Sequence, residues 1–252
     1  MKTWTVRFTA KQLRSIHPDH LGFILASSHC CNELTSVSPY LIFEHDLAKA
    51  NEVEKAFLLI RFFTLVRFQI AKIFEYRDLS NGYVAKIRKT FPATAEKLGQ
   101  RSAVITRRIR AARWAETVRN KVAFHFDAAY ALQALANLTP DHELSFVVGR
   151  MRGVTAFDFA DRILAGAMFL EAGGGDTDAG RDVVKTWTIE LQNQIADFHA
   201  QTMEELFQQY GLLRKREETE LRDCYCAAPG SVAVPLSTFD TCGTDESSGH
   251  SP

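Results

Sequence analysis

The chain has 252 residues, of which 46% are hydrophobic, and this is enough to build one sizeable core. Its 30 basic and 30 acidic side chains give a formal net charge of zero, so no overall field attracts nucleic acid and any anion binding must be local. The most apolar window, residues 56–74, contains charged side chains near its middle, which exclude an ordinary transmembrane helix.

The N-terminal segment and the cysteines favour a cytoplasmic location without membrane association. Residues 1–10 lack the continuous apolar run that a signal peptide requires. The cysteines are odd in number, and their spacing matches neither a disulfide framework nor paired zinc knuckles: Cys30, Cys31, Cys224, Cys226 and Cys242. The histidines nearest the first cysteine pair, His17, His20 and His29, also match no common zinc pattern. We therefore expect a reducing compartment and neither a metal nor another cofactor.

Apolar residues recur at helical spacing along most of the chain, which predicts an all-α bundle of four to five long helices. In chain order, the predicted helices run from Pro18 to about 36–39, then over 47–79, 102–138, 157–172 and 178–210. Breaks are predicted at Asn81-Gly82 and at Phe91-Pro92. The β-branched run at 144–149 predicts at most a small hairpin, and the glycines at 173–175 predict a loop between helices, with Asp176 and Asp178 capping the next helix.

One helical domain and a tail account for the whole chain. The predicted domain spans residues 1–213, with its core at about 18–210, and Gly211 ends the last helix as a C-cap. The tail, residues 214–252, is charged at first and then rich in proline, glycine, serine and threonine from about Ala227 onwards. This composition cannot bury enough apolar surface to offset the entropy of ordering, so we expect disorder there.

The segment RNKVAFHFD, residues 119–127, places a guanidinium and an imidazole six residues apart. Cleavage of RNA by its own 2′-hydroxyl needs a group that transfers a proton near neutral pH and a cation that stabilises the phosphorane. His125 and Arg119 have these properties, and Asn120 could orient either of them or bind phosphate. The same spacing occurs from Arg14 to His20, so the surrounding residues must decide whether it has a function.

Basic residues cluster before and within this segment. Residues 101–121 contain seven basic side chains and a single acid, Glu116. Four of the basic side chains are candidates for binding RNA phosphates: Arg107, Arg110, Arg113 and Lys121. On an ideal helix Arg119 and His125 lie about 120° apart, so their convergence needs a kink, a long arginine reach or a second subunit.

With a polar residue after the arginine and a place on a late long helix, the segment resembles the R-x(4–6)-H motif of the HEPN superfamily. Together with AKIFEY at 71–76, it is similar to bacterial members grouped with abortive-infection proteins. The resemblance covers roughly residues 18–210 and implies a metal-independent endoribonuclease of toxin–antitoxin or phage-defence systems. It also implies a homodimer in which two motifs face each other, and an antitoxin could be a further partner. Where many toxin members carry a modifiable tyrosine, this chain has Asp127, which argues against silencing by that route.

Alternative interpretations stay open. The chain could be a non-catalytic helical dimerisation module, or a nucleotide- or RNA-binding module, that uses the same surface. In that case Arg119 would pair with Glu116 while His125 is hydrogen-bonded within the bundle. Arg67 lies away from the polar stripe of its helix, so it either pairs with a buried carboxylate or faces a partner or a ligand.

Overall fold

The computed structural model describes residues 2–37, 50–123, 127–142, 144, 157–212 and 216–220. Within them, eight α-helices, one π-helical turn and two short strands follow each other in a fixed order. The first elements are β1 (Lys2–Val6), α1 (Ala10–Arg14), α2 (Pro18–Val37), α3 (Glu52–Ile87), α4 (Pro92–Ala111) and α5 (Arg113–Val118). The π-helical turn (Arg119–Ala123), α6 (Ala128–Ala136), α7 (Asp158–Ala172), α8 (Thr177–Gln209) and β2 (Arg216–Glu220) complete the series. The predicted all-α class is confirmed.

The central helix is α3, which packs against α2, α4, α7 and α8. Its middle is fully buried at Phe63, Ile70 and Ile73. Asn51 begins it with a capping box: the Glu54 N–H donates to Asn51 Oδ1 at 3.0 Å, and the Asn51 N–H donates to Glu54 Oε2 at 2.8 Å. These two bonds satisfy donors that the first helical turn leaves unpaired, which places the start at Glu52 rather than at 47.

The predicted break at Asn81-Gly82 is wrong, because α3 continues through it to Ile87. The Asn81 side chain does not turn the backbone but bonds to α4 instead. Ser102 Oγ donates to Asn81 Oδ1 at 2.9 Å, and Asn81 Nδ2 donates to Thr106 Oγ1 at 3.3 Å. Burial of Tyr83, Val84 and other side chains on both sides of the pair outweighs the local turn preference.

The predicted helix over 102–138 is also wrong, since three helices and the π-helical turn occupy that stretch and its neighbours. Pro92 stands at the first position of α4, where its missing N–H costs nothing, so the helix begins ten residues earlier than predicted. It ends at Ala112, whose φ of −95° and ψ of 77° are not helical. The break turns α5 so that Trp114 packs edge-on against Trp187 of α8, with ring centroids 5.0 Å apart.

The last two predicted helices and the loop between them are confirmed. Gly174 and Gly175 have φ of +63° and +108°, which glycine adopts without strain. Asp176 then begins α8 by accepting the N–H groups of Asp178 and Ala179 at 2.9 and 3.0 Å. Gly211, with φ of +68°, follows its C-terminus as predicted.

A two-stranded antiparallel sheet joins β1 to β2, with Lys2 opposite Glu220 and Val6 opposite Arg216. The pairing was not predicted, and it places part of the charged stretch after residue 213 beside the N-terminal strand. The predicted hairpin at 144–149 lies, apart from Leu144, outside the described residues, as do residues 221–252 of the predicted tail. No helix in the part of the chain that the structure describes is both long and apolar enough to cross a membrane.

Candidate functional site

The π-helical turn contains the first three candidate residues, Arg119, Asn120 and Lys121, and begins at the arginine itself. A π-helix closes i→i+5 hydrogen bonds, so each residue turns the chain through a smaller angle than in an α-helix. The angles of an ideal helix therefore do not apply to this segment. Isolated π-helical turns are rare and frequently occur at functional sites.

Arg119 lies against α3 and holds its guanidinium there through weak contacts. Nη2 is 3.7 Å from Asp78 Oδ2, and Nη1 donates to Asn120 Oδ1 at 3.4 Å. The guanidinium carbon is 5.3 Å from the centre of the Phe74 ring. Within the described ranges its Nε has no hydrogen-bond partner, while 34% of the side chain is exposed. The predicted alternative, an ion pair with Glu116, is wrong, because the acid beside Arg119 is Asp78.

His125 lies outside the described residues, so its distance from Arg119 remains a prediction. The description resumes at Asp127, which begins α6 by accepting the N–H groups of Ala129 and Tyr130 at 2.9 and 3.2 Å. Lys121 Nζ is 4.0 Å from the same carboxylate and 5.4 Å from the centre of the Tyr130 ring. The position that the resemblance associates with a modifiable tyrosine is thus a helix cap here.

Arg67 supports the π-helical turn from α3. Its Nη1 donates to the carbonyl oxygen of Val122 at 3.4 Å, and its guanidinium carbon is 4.8 Å from the centre of the Phe63 ring. No carboxylate among the described residues pairs with it, so within them the predicted buried salt bridge is absent. Hydrogen bonding and ring stacking in place of an ion pair leave its charge close to the candidate segment.

The basic candidates on α4 and α5 divide into paired and unpaired groups. Arg108 pairs with Glu190 of α8, and Arg101 pairs with Glu205 of α8 at 2.9 Å. Three arginines are exposed, and no described acid forms an ion pair with them: Arg107, Arg110 and Arg113. The local excess of positive charge is therefore smaller than the residue count suggests, but it is concentrated on the three predicted phosphate-binding arginines.

Arg119 also stands at the edge of a cavity of about 720 Å³ between α2 and α3, here called the α2–α3 groove. Its apolar lining is Gly22, Phe23, Ala26, Ala71, Leu79 and Gly82, with Tyr83 beside them. Its charged lining is Asp19, Glu75, Asp78, Lys86 and Arg119. These charges are already paired: Asp19 with Lys86 at 2.7 Å, Glu75 with Lys72 at 2.8 Å and Asp78 with Arg77 at 2.7 Å.

The second Arg-to-His spacing in the sequence does not form a site. Arg14 is exposed at the end of α1, whereas His20 is completely buried, with Nδ1 3.2 Å from the Tyr210 hydroxyl. Cys30 and Cys31 are buried free thiols, and burial raises the pKa of Cys30 to about 12. Among the described residues, no group of three or more histidines, cysteines or carboxylates is placed to hold a metal ion.

The partners of Arg119 were not predicted from the sequence. Asp78 and Phe74 belong to α3, and their approach to Arg119 follows from the packing of two elements that are distant in the chain. No local spacing reports that contact. Comparisons of the chain with protein-family models, with curated proteins and with solved structures found no match.

Proposed function

We propose that the chain is a metal-independent endoribonuclease that cleaves RNA through Arg119 and His125. We propose further that it acts in the cytoplasm as a homodimer, in a toxin–antitoxin or phage-defence setting with an antitoxin as its regulator. One observation carries the proposal: Arg119 begins a π-helical turn and keeps a partly exposed guanidinium whose polar contacts, at 3.4 and 3.7 Å, are long. A phosphate with two oxygens in reach would bind that guanidinium better than Asp78 does.

The proposed chemistry needs no external nucleophile. The 2′-hydroxyl oxygen attacks the adjacent phosphorus, the bond from phosphorus to the 5′-oxygen breaks, and a 2′,3′-cyclic phosphate and a 5′-hydroxyl result. His125 takes the proton from the 2′-hydroxyl and gives it to the departing 5′-oxygen, and Arg119 stabilises the charge on the phosphorane oxygens. Asn120 orients Arg119, to which it is already hydrogen-bonded. The neighbouring phosphates are bound by Arg107, Arg110, Arg113 and Lys121.

The test is incubation of purified full-length protein with mixed cellular RNA in EDTA, followed by analysis of the fragment ends. EDTA inactivates contaminating metal-dependent nucleases. We expect 2′,3′-cyclic phosphate ends from the parent protein, and rates at least about 100-fold lower for His125→Ala and for Arg119→Ala. His142→Ala, which removes an exposed histidine outside the segment, is the matched control and should cleave at the parent rate. Equal cleavage by the parent and His125→Ala would contradict the catalytic role.

A second candidate function is a non-catalytic helical dimerisation module, or one that binds nucleotides or RNA. It is favoured by the contacts of Arg119 with Phe74 and Asp78, because these also serve to pack the π-helical turn on α3. The same experiment separates the two functions. Retention of labelled RNA by the parent protein without any cleavage would support the binding module.

A further inference from the structure

The α2–α3 groove contains two glycines that packing within the chain does not explain. Gly22 and Gly82 lie inside α2 and α3, and a Cβ added at either would meet no atom of the described residues within 4 Å. Glycine is less favourable than alanine in a helix interior, so these positions lose helix stability without any contact in return. Their effect is to keep the groove open to the close approach of another backbone.

A buried polar group in the groove also lacks a partner. Tyr83 lines the groove and is only 5% exposed, and its ring stacks on Phe23 with centroids 4.0 Å apart. Its hydroxyl has no hydrogen-bond partner among the residues that the structure describes. Buried hydroxyl groups in proteins are nearly always hydrogen-bonded, so the packing beside this groove is incomplete in the single chain.

Elsewhere in the molecule, α6 exposes an apolar face. Its sequence, AAYALQALA, contains no charged residue, and Ala134 is its one buried member. Leu132 and Leu135 are 67% and 44% exposed, and with Ala128 they follow the four-and-three spacing of a single helical face. Gln133 is an exposed polar side chain beside this face. A face of this kind, rimmed by polar groups, is typical of a surface that binds another protein.

We infer that α6 of one copy of the chain lies in the α2–α3 groove of a second copy, and that the second copy returns the same contact. The inference rests on the homodimer of the proposed function and names the surfaces that form it. Charge favours this occupant: the carboxylates that line the groove are already paired, and α6 brings no charge that would disturb those pairs. A charged peptide would have to displace Lys86 or Arg77 from its carboxylate.

The contact is self-complementary, because every copy carries both the groove and the helix. A nine-residue helix in one groove buries less than the roughly 1,200 Å² that stable interfaces need, whereas two reciprocal contacts double the buried area. Since Arg119 borders the groove, the exchange also brings Arg119 of each copy near α6 of the other.

Sedimentation velocity of the full-length protein at about 20 µM tests the inference without RNA. We expect a dimer for the parent, and monomers for Leu132→Glu/Leu135→Glu and for Gly22→Leu/Gly82→Leu. Two matched controls should remain dimers: Val104→Glu, which charges an exposed apolar position on α4, and Gly166→Leu, which fills open space on α7. Circular dichroism and melting curves show that each variant is folded.

Mixing the two monomeric variants separates this arrangement from other dimers. The mixed pair contains one intact α6 facing one intact groove, which is half of the reciprocal contact, so at about 200 µM we expect partial heterodimer formation that neither variant shows alone. A monomeric parent, a dimer that withstands both sets of substitutions, or a mixture that stays monomeric would each overturn the inference. A dimer with this behaviour that does not cleave RNA would refute the proposed catalysis alone, and RNA cleavage by a monomer would refute the interface alone.

Discussion

At the scale of single residues, His199 of α8 is a half-buried imidazole that connects three helices through both ring nitrogens. Nε2 is 3.2 Å from the Ser28 hydroxyl of α2, and Nδ1 is 3.1 Å from the Tyr76 hydroxyl of α3. Burial lowers the pKa of His199 to about 4, so the ring is neutral in the folded protein near neutral pH. A search of the sequence for histidines at a motif spacing does not find this residue, because its partners lie on helices that are distant in the chain.

This histidine makes stability depend on pH in a defined direction. In the unfolded chain its pKa is about 6.5, so protonation below that pH favours unfolding, and the loss continues until the pH reaches about 4. We expect the free energy of unfolding to fall between pH 7 and pH 5 by about 1 kcal/mol through His199, which is less than the full shift in its pKa implies because solvent screens the partly exposed ring. Denaturant titrations at both pH values measure the fall, and His199→Gln should reduce it.

The range from pH 7 to pH 5 excludes the titration of most other side chains. Carboxylates stay ionised above pH 5 in the folded and unfolded chain alike, so they add little to the difference. Burial also lowers the pKa of His20, which leaves a residual fall in the His199→Gln variant. An equal fall in parent and variant would show that His199 does not contribute.

At the scale of elements, helix starts were predictable where a local signal is decisive, and so was the break at Phe91-Pro92, but the break at Ala112 was not. Pro18 begins α2, and Asp176 and Gly211 mark the two ends of α8, as their residue types indicate. The break at Ala112 carries neither proline nor glycine, so nothing in the sequence announces it; burial of Trp114 against Trp187 explains it. No local sequence signal marks the π-helical turn either, because the hydrogen bond that supports it comes from Arg67 of α3.

The hairpin of α7 and α8 gives a test of close packing between elements. Gly180 lies so near the Phe169 carbonyl group that a Cβ added there would overlap the backbone. We expect Gly180→Ala to lower the free energy of unfolding by more than about 2 kcal/mol, because neither backbone can move away without separating the helices. Thermal or denaturant unfolding measures the change.

Gly166, which lies on α7 about one turn before Phe169, is the matched control for Gly180→Ala. A Cβ there meets nothing within 4 Å, so Gly166→Ala should raise stability by about 0.5–1 kcal/mol through helix propensity alone. Similar effects at both positions would mean that the approach of Gly180 to Phe169 does not constrain the hairpin.

At the scale of the whole molecule, the candidate site shows how far a sequence can be interpreted. Residue types and their spacing single out Arg119, Asn120 and the basic run, because these are local properties. The contacts of Arg119 depend on how α3 packs against the π-helical turn. Its contacts with Asp78, Phe74 and the groove therefore follow from the fold and not from the local sequence. The pairing of β1 with β2 is the extreme case, since it joins the two ends of the described chain and has no local signature.

That pairing distinguishes two truncations of the C-terminus. Removing residues 227–252 leaves β2 intact, so we expect unchanged helicity and melting temperature, and unchanged hydrogen exchange at Lys2–Val6. Removing residues 214–252 deletes β2 and exposes the N–H groups of β1 that it had paired, so the Lys2–Val6 amides should exchange faster while the helices keep their protection. Exchange mass spectrometry of the two truncated proteins measures both effects.

Equal protection of Lys2–Val6 in both truncated proteins would show that β2 does not hold the N-terminal strand. A loss of helicity after removal of 227–252 would show that this segment docks on the bundle.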